Sequence, residues 1–266
     1  MSAEAVRASR TTAFLEGVGR RSLNLFEEIG RFFYILHTTI YWTFRRPFDG
    51  REWVRQMVRV GVDSIPVVGL TAMFTGMVMS LQTYRGFERF HAESFVASVV
   101  SLSLTRELAP VLASLMIAGR IGSSLAAELG TMRVTEQIDA MYAMATEPIQ
   151  YLVVPRVAAT TIMLPPLVAM ANGVGIFGGY AIAVGLMGAN PVMYWDKTFQ
   201  FLDLNDVFSG LIKAAAFGLI LSVTGCAKGF FTTGGAEGVG RSTTSAVVMA
   251  SVVILVSDFF LTKILF

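Results

Sequence analysis

The sequence predicts an all-α integral membrane protein: an N-terminal amphipathic interfacial helix plus five transmembrane helices, with a short amphipathic helix in a cytoplasmic connection. Three observations predict it. Of 266 residues, 54% are hydrophobic and only 15% charged, whereas about a quarter of a soluble domain is charged. The apolar residues fall in long runs instead of alternating with polar ones, which is the pattern of helices solvated by lipid. The cations are also uneven, since ten of the 21 Lys and Arg residues precede Val60. A basic segment beside a hydrophobic body points to the anionic cytoplasmic leaflet and away from nucleic acid.

The N-terminal element covers residues 14–42. Leu25, Ile29, Phe32, Phe33, Leu36 and Ile40 share a stripe, while Glu27, Glu28 and Arg31 take the other face. With Arg20 and Arg21 before it and Arg45, Arg46 and Pro47 after it, this helix is expected to lie in the membrane interface. A surface helix packed on its own protein is the alternative. The first 25 residues lack an apolar h-region and carry Arg7, Arg10, Arg20 and Arg21, so no cleavable signal is expected. Residues 1–50 are read as an N-terminal region and residues 51–266 as the membrane domain.

Residues 64–84 contain no charge over 21 positions, enough to cross roughly 30 Å of hydrocarbon at about 1.5 Å per residue. Asp63 and Arg59 mark the entrance, and Arg85, Glu88 and Arg89 the exit. A second stretch, 95–127, is interrupted by Arg106, Glu107 and Arg120. Charge is costly inside a membrane, so these residues must be interfacial, paired or functional. The third stretch, 157–195, is charge-free for 39 residues and contains Pro165 and Pro166. One long kinked helix is preferred to a hairpin turning near Asn172, whose halves would be too short to span.

The fourth span is expected at 207–227 and the fifth at 242–266, the latter interrupted by Asp258 and Lys263. This topology puts fifteen Lys and Arg inside and four outside (Arg85, Arg89, Lys197 and Lys263), with Arg106 and Lys213 within spans. The positive-inside rule is satisfied with the N-terminus cytoplasmic and the C-terminus periplasmic.

Two glycine patterns are decoys. Gly235, Gly240 and Ser242 fall at phosphate-loop spacing, but Arg241 replaces the lysine and membrane segments lie on both sides. Gly173, Gly175 and Gly178 spell GxGxxG inside a charge-free span, where small residues allow close helix approach. His37 and His91 have no ligand cluster around them, so neither a metal nor a catalytic site is expected.

The connection AELGTMRVTEQIDAMYAMATEP, residues 127–148, is the most informative stretch. Thr135 is placed to cap a short helix, Glu136 to sit in its first turn and Pro148 to limit its end. Val134, Ile138, Met141 and Met144 or Ala145 make an apolar stripe suited to a groove on a cytoplasmic partner; a simple interfacial turn is the other reading.

RELAPVLASLMIAGRIGSSLAAELGTMRVTEQIDAM, residues 106–141, with EPIQYLVVPRV, residues 147–157, resembles the signature region of the MlaE (YrbE) permease family of ABC lipid transporters. The likeness extends over roughly residues 50–266, through GRSTTSAVV and SDFFLTKILF. It departs modestly at Ala109 and Pro110, where the family often has Gly-Pro.

The resemblance implies a homodimer of five-span subunits in the bacterial inner membrane, two copies of a separate ABC ATPase that binds the ATP, and an MCE-domain protein on the outer side. It leaves room for a small STAS-type regulatory subunit. No cofactor is expected in this chain, which is expected to be a permease subunit and not an enzyme. By similarity the helix around Thr135, Ile138 and Met141 is the ATPase-coupling helix, with Glu136 and Asp139 as contact residues and Glu128, Gly130 and Thr131 shaping the approach.

The resemblance also implies a phospholipid cavity at the dimer interface, open to the outer side and lined by the first, second and fifth spans. Arg106 is the candidate for a lipid phosphate, held by a bidentate hydrogen bond, with Glu107 and Asp258 as further candidates. The alternative is a buried pair, Arg106 with Asp258 or Glu107 with Lys213. An ion-coupled secondary transporter or channel using Arg106, Glu107, Lys213 and Asp258 is the competing function. An intramembrane lipid enzyme is disfavoured, because no nucleophile and base pair lies in the spans.

Overall fold

The computed structural model describes residues 3–45 and 50–265, and these form helices throughout with no strand among them. Helix α1 runs from Ala3–Thr43. Five helices are long and apolar enough to cross a membrane: α2, Gly50–Glu88; α3, Glu93–Val134; α5, Ile149–Gly185; α7, Leu204–Phe230; and α8, Gly235–Leu265. Two short helices sit in connections, α4 at Gln137–Ala143 and α6 at Pro191–Phe201. The protein is therefore an all-α, multi-pass membrane protein. Its proximal end carries α1 and α4; its distal end carries α6.

The spans exceed their charge-free cores because polar ends still satisfy backbone hydrogen bonds by helix. Thus α8 starts at Gly235, ahead of the expected residue 242. The third span is one helix that continues through Pro165 and Pro166, as expected, but it stops at Gly185 and not near Trp195. Residues 186–190 turn, and Asn190 caps α6 by accepting the amides of Val192 at 2.9 Å and Met193 at 3.3 Å.

Helix α2 packs chiefly on α5, and α7 packs on α5, α8 and the proximal part of α3. The closest approach uses the glycines: a Cβ at Gly178 would meet the Met73 carbonyl at 2.5 Å, and one at Gly76 would overlap the Gly175 carbonyl. Small residues let backbones close in where lipid supplies no hydrophobic drive between helices. Gly173, with nothing within 4 Å, takes no part. The apolar windows of α2 and α8 are only 28% and 17% buried, against half or more for the other spans.

Helix α1 is apolar on two faces. Ile35 and Thr39 are buried, with Phe32 and Leu36 packed beside them on the protein. Leu23, Phe26, Phe33 and Ile40 remain exposed. The helix thus packs on its own chain and also keeps an exposed apolar face, as an interfacial helix would. The side chains of Arg7, Arg10, Arg20, Arg21 and Leu25, and residues Arg46, Pro47 and Phe266, lie outside the described residues.

Candidate functional site

The three charges expected to interrupt the second span, Arg106, Glu107 and Arg120, sit in π-helical turns. Leu104–Leu108 carries Arg106 and Glu107, and Ala118–Gly122 carries Arg120. Such wide turns recur at functional sites, because they re-aim side chains and release a carbonyl from the helical ladder. Here the Arg106 carbonyl accepts from the Lys213 ammonium at 3.1 Å.

The distal cluster is built by α3, α7 and α8. On α7, Asp206, Gly210 and Lys213 occupy one face at helical spacing. Gly210 has no Cβ to strike the Thr105 carbonyl, so α7 can lie directly against the first π turn. Asp206 then receives Arg106 through Nε at 2.8 Å and Nη2 at 2.7 Å. The same carboxylate accepts the Asp203 amide at 3.2 Å, which ties the pair to the start of α7. Two turns further along α7, fully buried Lys213 meets Glu107 at 2.8 Å, Asp258 at 3.1 Å and the Thr262 hydroxyl at 2.7 Å.

The expected alternatives are thereby sorted. Glu107 does pair with Lys213, but Arg106 pairs with Asp206 and not with Asp258, which faces Lys213 instead. The physical reason is depth: Asp206 is level with Arg106 at the start of α7, and sequence alone does not fix the rotation of each helix. The Arg106 side chain nevertheless stays 40% exposed, while Asp206 is 4% exposed.

The proximal cluster joins α2, α3 and α5. Glu128 bridges Arg59 and Arg156, the latter at 3.2 Å, and Arg59 also donates to Ser124 at 2.7 Å. At the second π turn Arg120 donates to Ser64 at 2.6 Å and lies 3.8 Å from Asp63. Glu128 is therefore a bracket between three spans. Gly130 packs against Thr232, where a Cβ would come within 3.1 Å of the hydroxyl, and Thr131 is exposed with its hydroxyl donating to the Ala127 carbonyl.

Helix α4 forms as expected but differs in its ends and its face. Thr135 does not cap it; its amide and hydroxyl both bond to the Thr131 carbonyl and close α3. The preceding position of α4 is Glu136, in the left-handed region at φ 60°. Ile138 is completely buried and Met141 packs on the core, so these two residues of the apolar stripe dock on their own chain, while Met144 stays exposed. The surface left open carries Glu136, Asp139, Tyr142 and Met144, which is 68% exposed. Asp139 is ion-paired with Arg133 at the end of α3. Partial burial, then the charge of Glu147, pushes the Tyr142 hydroxyl above the usual phenol range.

Sequence reasoning missed Asp206 and Gly210. The face Asp206, Gly210, Lys213 was visible as a spacing, but only the approach of α7 to the π turn gives it meaning.

A family model described as Permease MlaE matches residues 53–264. The chain is 47% identical over 249 residues to a probable ABC transporter permease protein of Rickettsia bellii, covering 94% of this chain and 96% of that protein. It is 45% identical over 248 residues to one of Synechocystis sp., covering 93% and 94%. It is 40% identical over 232 residues to the chloroplastic protein TRIGALACTOSYLDIACYLGLYCEROL 1 of Arabidopsis thaliana, covering 87% of this chain and 64% of that one.

Proposed function

The chain belongs to the MlaE permease family and is an ABC transporter permease, a class that implies an ATPase partner; from that premise we propose that it moves phospholipid between the bacterial inner membrane and an MCE-domain protein. Family membership displaces the ion-coupled secondary transporter as a reading of the intramembrane charges. The plant relative's name carries a glycerolipid, which supports a lipid cargo. In this reading the chain works as a homodimer with its N-terminus cytoplasmic and its C-terminus periplasmic. The low burial of α2 supports a second copy against that span. ATP is bound by the partner, and a STAS-type subunit has room to join.

The observation that carries the reading is the half-exposed Arg106 guanidinium, aligned by buried Asp206 at the distal π turn. A carboxylate that already engages Nε and Nη2 pre-orients the planar fork, so an arriving phosphate diester meets a fixed donor array. Lys213 holds Glu107 and Asp258 beneath it and offsets part of their negative charge. At the other end, the exposed face of α4, with Glu136 and Asp139, meets the ATPase. Its movement reaches the spans through Arg133 on α3 and through the Glu128 bracket.

The test is to purify the tagged chain from its native membrane in mild detergent and identify by mass spectrometry what travels with it. An ATPase, an MCE protein and stoichiometric phospholipid are expected. A lone chain, even after crosslinking, would refute the coupling role of α4. An ATPase with no phospholipid would refute the cargo.

A further inference from the structure

A cavity of about 430 Å3 lies between α1, the end of α7 and the first turns of α8, at the end of the molecule opposite Arg106. Its polar wall holds Glu28 and Arg31 of α1, Lys228 of α7, and Glu237 and Arg241 of α8. Its apolar wall includes Phe231 and Met249. The charges alternate: Lys228 pairs with Glu28, Arg241 pairs with Glu237 at 2.5 Å, and Arg31 pairs with Glu27 at 2.5 Å and lies 5.2 Å from the Phe231 ring centre. Gly234 and Gly235, at φ 92° and 66°, turn the chain so that α8 starts beside these cations. The first-turn amides of a helix have no intrahelical partner and add a positive end to the same wall.

Depth and shape narrow the ligand. Lys228 stands two residues before the end of α7 and Arg241 six residues after the start of α8, so both lie within ~10 Å of a span end, in the head-group layer and not in the hydrocarbon. From Met249 the exposed face of α8 continues inward as Val248, Val252, Leu255 and Val256, an apolar track of the kind acyl chains cover. Cations alone would suit any phosphate. Carboxylates interleaved with them also suit an ammonium, which inorganic phosphate lacks, as it lacks acyl chains for the apolar track.

We propose that this cavity binds the head group of a zwitterionic phospholipid, with its phosphate on Arg31, Lys228 and Arg241 and its amine on Glu28 and Glu237. The site stands on the cavity and the membrane class alone, so it does not depend on what the transporter carries. Of the P-loop-spaced residues Gly235, Gly240 and Ser242, only Ser242 lines this cavity.

The full chain carrying Ser245→Cys tests this, because Ser245 lines the cavity and the native Cys226 is buried. In phosphate-free detergent, maleimide alkylation of the new thiol is followed with added dihexanoylphosphatidylethanolamine, dihexanoylphosphatidylglycerol or inorganic phosphate. The ethanolamine lipid is expected to slow alkylation, and adding Arg241→Gln to weaken that protection by roughly tenfold or more, the scale of one charge-assisted hydrogen bond. Arg241 is exposed and paired within its own helix, so the variant folds; adding Glu237→Gln is expected to equalise the two lipids. Absence of protection by the ethanolamine lipid overturns the site. Equal protection by phosphatidylglycerol in the unaltered cavity overturns the role of the carboxylates, and equal protection by inorganic phosphate overturns the lipid.

Discussion

At the distal end the Lys213 ammonium is wholly enclosed and faces two carboxylates from two other elements. At the proximal end the arrangement is inverted, with the single carboxylate of Glu128 facing two guanidinium groups, and all three groups keep some contact with solvent. Both clusters include or adjoin a π turn of α3, so the same backbone device serves two environments. The difference teaches where charge is structural. A fully buried ion cannot be left alone, whereas a partly wetted one can be re-solvated when its partner goes. The distal cluster is thus a fixed frame that leaves the Arg106 side chain 40% exposed, and the proximal cluster is a partly wetted bracket between three spans.

The largest expected effect breaks that frame. Lys213→Met leaves Glu107 and Asp258 facing each other without a cation and should cost about 3 kcal/mol or more. The readout is the thermal midpoint of the detergent-solubilised protein. Adding Glu107→Gln and Asp258→Asn should recover most of it. Failure of the triple variant to recover would mean that packing of the lysine stem, and not charge, holds the three spans.

Next is the accessible cation. Arg106→Ala alone strands Asp206, so it is made together with Asp206→Asn, whose amide oxygen can still accept the Asp203 amide. The double variant should assemble with normal stability yet lose at least tenfold in ATP-driven lipid transfer, the equivalent of about 1.4 kcal/mol or more. Transfer at the unaltered rate would make Arg106 a purely structural partner of Asp206. A dimer that falls apart would move its role to assembly.

At the proximal end Glu128→Gln keeps the shape but loses the charge opposite Arg59 and Arg156. A cost of about 1–2 kcal/mol is expected, smaller than at Lys213 because these groups are partly solvated. An effect as large as that of Lys213→Met would erase the distinction between the two clusters.

The spans were legible because 21 consecutive uncharged residues admit little else in a protein this poor in charge. The short helix at Gln137–Ala143 was legible too, though not its ends, from the spacing of Val134, Ile138 and Met141. What was not legible is direction. Ile138 faces its own core and Asp206 faces Arg106, 100 positions away in sequence. A side chain's partner across a bundle depends on the rotation and depth of each helix, and the π turns that set the rotation of α3 have no sequence signature beyond the charges they carry. Helix α6 was hidden for another reason: its apolar residues continue the charge-free run of α5, and only Asn190 followed by Pro191 marks a new start.

The smallest stability effect is expected where coupling is proposed. Asp139→Ala removes an ion pair with Arg133 that is largely in solvent, so the thermal midpoint should change by no more than ~0.5 kcal/mol equivalent. Yet that pair fastens the exposed face of α4 to the end of α3. If α4 is the seat of the ATPase, the variant should hydrolyse ATP in the assembled complex while transferring less lipid per ATP consumed. Uncoupling of this kind, with stability intact, separates a transmission role from a structural one. An unchanged ratio of lipid moved to ATP consumed would place the transmission elsewhere, with Glu136 and the exposed Met144 as the remaining contacts on that face.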